Sequence, residues 1–249
     1  LLAEARYLPS PNCDERPVDA AIDLLVIHNI SLPPGEFGGD AIADLFLNRL
    51  DPQAHPYYEG IANLRVSSHF LIRRDGALLQ FVPCAKRAWH AGDSYWGGNR
   101  DLNSSSIGIE LDNNGNEPFS DIQISVLIDL LRDLTMRWNI PPANIIGHGD
   151  VAPGRKVDPS AYFPWRRLAE AGLGLWCEPP YAPAPAGADD AALLAALGYD
   201  VTRLPAAVAA FKRHWTPEDA TPALSDGQRA LLQCLIGKQQ GAGGSERYQ

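Results

Sequence analysis

Apolar positions follow two alternating periods along this chain. Residues 23–30, Asp-Leu-Leu-Val-Ile-His-Asn-Ile, are almost continuously apolar before polar residues return, which predicts a central strand buried on both faces with His28 at its carboxyl end. Residues 67–73 and 78–82 flank Arg74-Asp75-Gly76, and Asp-Gly between two β-prone runs predicts a hairpin. Ile107-Gly-Ile-Glu-Leu111 reads as another buried strand interrupted by one acid, and Asn144-Ile-Ile-Gly147 as a short strand leading to His148. Helical spacing takes over between the strands. Ile42, Leu45, Phe46 and Leu50 mark a helix over 39–50, closed by Asp51-Pro52. Ile124, Leu127, Leu131, Leu134 and Trp138 lie on one stripe of a helix over 121–138. Ser120-x-x-Gln123 predicts a capping box at its start, and Pro141-Pro142 forbids its continuation. The alternation predicts an α/β fold in which a central mixed β-sheet is flanked by helices.

The pattern changes near Trp176. Glu-Pro-Pro-Tyr-Ala-Pro-Ala-Pro-Ala-Gly predicts an extended linker over 178–188, ending a first domain of residues 1–177. Three short helical patterns follow, over 189–197, 205–215 and 225–236, and predict a small three-helix C-terminal module within 189–237. A module of about 50 residues buries little surface alone, so it is expected to dock on the first domain. Residues 238–249 are rich in Gly, Gln and Ser and are expected to be disordered.

Composition narrows the function. With 249 residues, 45% hydrophobic and 20% charged, the chain fits a globular protein, and a net charge of -9 argues against nucleic-acid or anionic-membrane partners. No apolar stretch is long enough to span a bilayer. The first residue is Leu rather than Met, a start that a processed signal peptide, a lipoprotein leader with its lipid anchor, or trimming would each leave. Cys13, Cys84, Cys177 and Cys234 form no C-x-x-C pair. They read as ordinary thiols, with disulfide pairing unassigned.

Three residues could hold a metal: His28 and His148, each at a strand end, and Asp158 in the loop His148-Gly-Asp-Val-Ala-Pro-Gly-Arg-Lys-Val-Asp-Pro159. Two imidazoles and a carboxylate with a fourth position for water match a catalytic zinc site. The bland reading is a polar surface turn in which Lys156 and Asp158 are merely solvated, but Ile145-Ile146 place His148 at the edge of a core. Glu110 is costly inside an apolar strand unless it faces a polar pocket. Either the strand alternates faces and Glu110 meets water, or it is the general base of a metal site. Trp89-His90 would suit sugar and peptide contact beside a cleft. His69 lies mid-strand, facing core or site, while His55 and His214 read as surface residues.

Five motifs, in order along residues 5–176, resemble the zinc N-acetylmuramoyl-L-alanine amidases of the AmpD and AmiD type. They are Leu25-Val-Ile-His-Asn-Ile-Ser-Leu-Pro-Pro-Gly35, Ser67-Ser-His-Phe-Leu-Ile72, Ala88-Trp-His-Ala-Gly92, Ser106-Ile-Gly-Ile-Glu110 and His148-Gly-Asp-Val-Ala-Pro-x-Arg-Lys-x-Asp-Pro159. The resemblance implies one Zn2+ held by His28, His148 and Asp158. It also implies Glu110 and Lys156 as catalytic partners, and Asn29, His69, Trp89 and His90 lining a substrate groove. Zinc would make water nucleophilic near neutral pH, Glu110 would carry the proton, and Lys156 would help stabilise the oxyanion. The substrate class implied is peptidoglycan or its 1,6-anhydro-muropeptides, cut between N-acetylmuramic acid and L-alanine.

The resemblance divides along the chain. Pro9-Ser-Pro-Asn12, the 32–58 insertion and Asn48-Arg-Leu-Asp-Pro52 are similar to the cytoplasmic AmpD recycling enzymes. Phe163-Pro-Trp165, Gly172-Leu-Gly-Leu-Trp176 and the helical tail are similar to the longer AmiD type with its peptidoglycan-binding-like module. The expected location is the periplasm or cell envelope of a bacterium, with the cytoplasm as the alternative, and the expected state is a monomer. Two other functions fit the same residues less well: a non-catalytic peptidoglycan-binding protein, and a zinc peptidase acting on the stem peptide.

Overall fold

The computed structural model describes residues 4–244. The elements run β1 (Arg6–Tyr7), β2 (Cys13–Glu15), β3 (Leu24–Ile30), α1 (Ala41–Phe46), α2 (Pro56–Glu59), β4 (Phe70–Ile72), β5 (Leu78–Gln80), β6 (Lys86–Ala88), α3 (Leu102–Ser105), β7 (Ser106–Asp112), α4 (Asp121–Trp138), β8 (Ile145–Gly147), α5 (His148–Val151) and α6 (Trp165–Glu170). The tail adds α7 (Asp190–Leu197), α8 (Leu204–Trp215) and α9 (Asp226–Gly244). A mixed sheet in the order β1-β5-β4-β7-β3-β8 forms the centre, and β2 and β6 make a separate antiparallel ribbon. Strands β4, β7, β3 and β8 run parallel, whereas β4 and β5 form the antiparallel hairpin expected around Gly76, whose φ of +86 the tight turn requires.

Strand periodicity divides the core. Leu25, Ile27, Phe70, Ile72, Ile107, Ile109 and Leu111 face one side and pack against Ile124, Leu127, Leu131 and Leu134 of α4. The opposite face carries His28 and Glu110. The α4 cap departs from the expected box. Ser120 Oγ accepts from the Gln123 backbone N–H at 3.3 Å, but Gln123 Nε2 turns inward and donates to the carbonyls of Ile72 (2.9 Å) and Asp112 (3.2 Å). Two buried carbonyls therefore outcompete the N-cap amide for that side chain. Helix α1 is shorter than its apolar spacing predicts, because Asn48 takes a left-handed φ of 57 just beyond its end.

A second core joins Leu194, Leu197, Phe211, Trp215, Leu231, Leu232 and Leu235 of the three tail helices, and Tyr199 between α7 and α8, to Trp96 and Trp176 of the preceding chain. Cys177 packs in this second core. Three sequence expectations change here. Cys177 and Cys234 form a disulfide, since folding brings positions 57 residues apart to a Cα separation of 6.4 Å; Cys13 and Cys84 stay free. Helix α9 continues to Gly244, so much of the stretch expected to be disordered is helical, and the remainder lies outside the described residues. His214 is buried rather than on the surface, stacked between Trp165 (3.8 Å between centroids) and Trp215 (3.9 Å). His55 caps α2 by accepting the Tyr57 N–H at Nδ1, 3.1 Å away.

Candidate metal centre

Three parallel strands deliver the site. In the β3–β7 register His28 stands opposite Glu110, and β8 on the other side of β3 ends one residue before His148. The loop after α5 returns Asp158 to them, held by the Gly149 N–H, which donates to the Asp158 carbonyl at 2.7 Å. His28 Nδ1 lies 3.0 Å from His148 Nδ1 and 3.2 Å from Asp158 Oδ2, and His148 Nδ1 lies 3.0 Å from that same oxygen. Among the described residues these three form the group of metal-ligating side chains close enough to share an ion. Tetrahedral ligands about 2.0–2.1 Å from zinc would stand about 3.3 Å apart, close to this triangle.

Hydrogen bonds on the far sides of both rings assign the tautomers. His148 Nε2 faces the Ala91 carbonyl at 3.1 Å and must donate to it, leaving Nδ1 with a free lone pair. Arg155 Nη2 donates to the same carbonyl at 2.7 Å and fixes its position. For His28 a longer relay runs. The Ser106 hydroxyl donates to the Leu102 carbonyl, so it accepts from His90 Nε2 at 3.2 Å. His90 Nδ1 is then an acceptor, and His28 Nε2 donates to it across 3.0 Å. Both Nδ1 atoms therefore point bare lone pairs at a carboxylate oxygen. That is repulsive with no cation and is what a divalent ion requires of its ligands and of the partners behind them. The residues fit a zinc ion.

Electrostatics agree with this reading. Burial, then the neighbouring His148, pushes His28 down to about 4, against the pull of Asp158. Burial, then His28 and the other nearby cationic groups, holds His90 well below its ordinary value. Burial raises Asp158, but the two imidazoles beside it outweigh that and leave the carboxyl well below the usual range. Glu110 moves the other way: burial and then the Asp158 charge push it well above its ordinary value, opposed by Lys156. Its Oε1 stands 4.0 Å from His28 Nδ1, and its Oε2 is buried without a hydrogen-bond partner. Glu110 is only 9% exposed, so the face opposite Ile107 and Ile109 is not open water. A desolvated carboxyl beside a metal triangle is suited to carrying a proton.

The remaining sequence candidates separate. Lys156 is half-buried in the ligand loop, close enough for its charge to act on Glu110 and His28. Asn29 follows His28; its Nδ2 donates to the Asn113 carbonyl at 2.8 Å, and its Oδ1 is buried without a partner. Trp89 is half-buried, and its indole N–H donates to Asp14 Oδ1 at 3.3 Å. His90 lies behind His28 as part of the relay. His69 departs from the expectation that it lines a groove: it is fully buried, its Nδ1 accepts the Gly108 N–H at 3.0 Å, and its Nε2 faces the Lys86 carbonyl at 3.1 Å. Backbone groups engage both ring nitrogens and Arg16 Nη2 lies 3.2 Å from Nε2, so the ring pins strands together instead. Sequence reasoning missed Ser106, Arg155 and Asp150. The available signal was Gly108, where any Cβ would come within 2.5 Å of the His90 ring, so the strand must be bare for His90 to reach His28.

A mixed sheet whose strand ends gather two imidazoles, a carboxylate and a buried glutamate has the layout of a metal-dependent hydrolase. Comparison with known proteins agrees. The family model described as N-acetylmuramoyl-L-alanine amidase matches residues 18–161, and the chain belongs to this family. It is similar to the 1,6-anhydro-N-acetylmuramyl-L-alanine amidase AmpD of Citrobacter freundii, with 52% identity over 167 residues, 67% of this chain and 89% of that protein. It is also similar to the E. coli amidase AmiD solved with the substrate anhydro-N-acetylmuramic acid-L-Ala-D-gamma-Glu-L-Lys. That likeness has a TM-score of 0.67 and 31% identity, and covers 90% of this chain and 93% of the other. The AmpDh3 structure from Pseudomonas aeruginosa matches at a TM-score of 0.68 and 26% identity over 94% of this chain and 99% of that one.

Proposed function

We propose that this chain is a zinc-dependent amidase that hydrolyses the bond between N-acetylmuramic acid, including its 1,6-anhydro form, and L-alanine in peptidoglycan or muropeptides. The observation that carries the reading is the convergence of three bare ligand atoms, on His28, His148 and Asp158, beside the partnerless Oε2 of Glu110. A zinc ion at such a triangle supplies Lewis-acid activation of water and of the amide carbonyl. Glu110 takes a proton from the attacking water and returns it to the departing alanine nitrogen. Lys156 offers positive charge to the carbonyl oxygen as it becomes an oxyanion. Asn29 and Trp89 are assigned to the substrate groove in this reading, and His90 to orienting His28.

Residues 1–177 form the amidase domain in this reading, 178–188 the linker and 189–237 a peptidoglycan-binding-like module, and the chain acts as a monomer. Among the described residues no helix is long and apolar enough to cross a membrane. The Cys177–Cys234 bond supports the periplasm or cell envelope over the reducing cytoplasm.

Digestion of a 1,6-anhydro-muropeptide beside intact sacculi, with and without a chelator, tests the activity. Mass spectrometry is expected to find free stem peptides beginning with L-alanine, lost with chelator and restored by zinc. Cleavage inside the stem peptide would favour a zinc peptidase. Binding without cleavage would favour a recognition protein.

A further inference from the structure

Asp150, two residues past His148, points away from the three ligand atoms and into the tail. Its Oδ2 accepts the Gly147 N–H at 2.9 Å and faces His214 Nδ1 at 2.7 Å, and its Oδ1 accepts the Tyr199 hydroxyl at 2.6 Å. Two of its three donors thus come from the C-terminal helical unit. Both donors are rigid. The His214 ring is clamped between Trp165 at an interplanar angle of 16° and Trp215 at 8°, and Tyr199 is fully buried with its ring edge-on to Trp96 at 5.0 Å.

The backbone that Asp150 anchors is the one that carries the ligands. Gly147 precedes His148, and Gly149 donates to the carbonyl of Asp158. Packing is so close here that a Cβ on Gly149 would lie 3.3 Å from Arg213 Nη1 and 3.2 Å from the Asp158 carbonyl, and one on Gly147 would lie 2.8 Å from Pro159. Any slack in this turn moves His148 and Asp158 together relative to His28, so hydrogen bonds that lock Asp150 fix where these two ligands stand against the third.

We propose that the tail is part of the metal centre, with Tyr199 and His214 acting through Asp150 as positioning residues for His148 and Asp158. The inference rests on the metal reading above. Zinc affinity tests it in the full-length protein, measured by competition with a chromogenic chelator. The visible spectrum of the cobalt-loaded form and the melting temperature of the metal-free form complete the readout. Tyr199→Phe and His214→Gln are each expected to raise the zinc Kd by about tenfold and to shift the cobalt bands. Leu232→Ala, in the tail core away from Asp150, is expected to lower the melting temperature yet leave both metal readouts unchanged. Zinc Kd values within about threefold of wild type in Tyr199→Phe and His214→Gln would overturn the proposal, as would an equal loss of affinity in Leu232→Ala. A wild-type protein that binds no zinc would instead overturn the metal reading itself, a failure visible in the first arm alone.

Discussion

Glu110 and His28 occupy paired positions on adjacent parallel strands, with Glu110 Oε1 4.0 Å from His28 Nδ1. The sheet therefore sets the distance between the proposed proton carrier and the proposed metal ligand, and no loop intervenes. Substitutions at the two positions are expected to differ in kind.

Glu110→Gln keeps the side-chain volume and removes the proton carrier. It is expected to bind zinc at one ion per chain and lose about 10²–10⁴-fold in kcat, whereas His148→Ala loses the metal and activity together. Metal analysis beside steady-state rates decides this, and undiminished turnover in Glu110→Gln would remove the residue from the mechanism.

Zinc that binds the folded chain alone stabilises it by mass action. At free zinc about a hundred times its Kd the gain is about 2.7 kcal/mol, which raises the melting temperature by about 5–10 °C. Calorimetry with zinc and then with excess chelator measures it. A melting temperature indifferent to both would argue that the triangle holds no ion.

His69, which lies outside the metal triangle, gives a further pH dependence. Burial first, then the nearby Arg16 charge, lowers its pKa to about 3, whereas an unfolded imidazole protonates near pH 6.5. Between those values the unfolded chain binds the extra proton, so stability is full above pH 6.5 and falls as the pH drops through the window, by about 1.4 kcal/mol per unit from this ring. Urea unfolding of wild type and His69→Gln between pH 7 and 5 should show a shallower slope for the variant. Identical slopes would mean that the folded ring takes up its proton normally.

The disulfide closes a loop between positions 57 residues apart. Chain-entropy reasoning gives it about 4 kcal/mol. Cys234→Ser is expected to melt well below the oxidised wild type and to match the reduced wild type. A variant that melts with the oxidised protein would show that the bond adds nothing.

Much of the site was legible in the sequence because its parts sit where apolar runs end. His28 closes the run of β3, His148 follows β8, and Glu110 is the one acid inside the apolar core of β7, so strand periodicity marks them as candidates and the family resemblance implies their roles. The hairpin at Asp75-Gly76 and the α4 stripe were readable for the same reason, as local patterns. Relationships between distant segments were not readable. His69 and His90 both lie near strands, and only tertiary hydrogen bonds separate a ring engaged by backbone from one that orients a ligand. His214 carried no local signal because its partners, Trp165 and Asp150, lie 49 and 64 residues away. Cys177 and Cys234 could not be paired from spacing, since the turns that bring them together belong to the packing of the tail helices.

The Trp165–His214–Trp215 stack also governs reach. A unit hung on a Pro/Ala-rich tether could sweep through a wide volume, but one stapled by stacked rings and buried hydrogen bonds stands at a single offset and angle from the catalytic mouth. Any polymer gripped by the tail would then be presented in one orientation, and only bonds at that span from the point of grip would be cut.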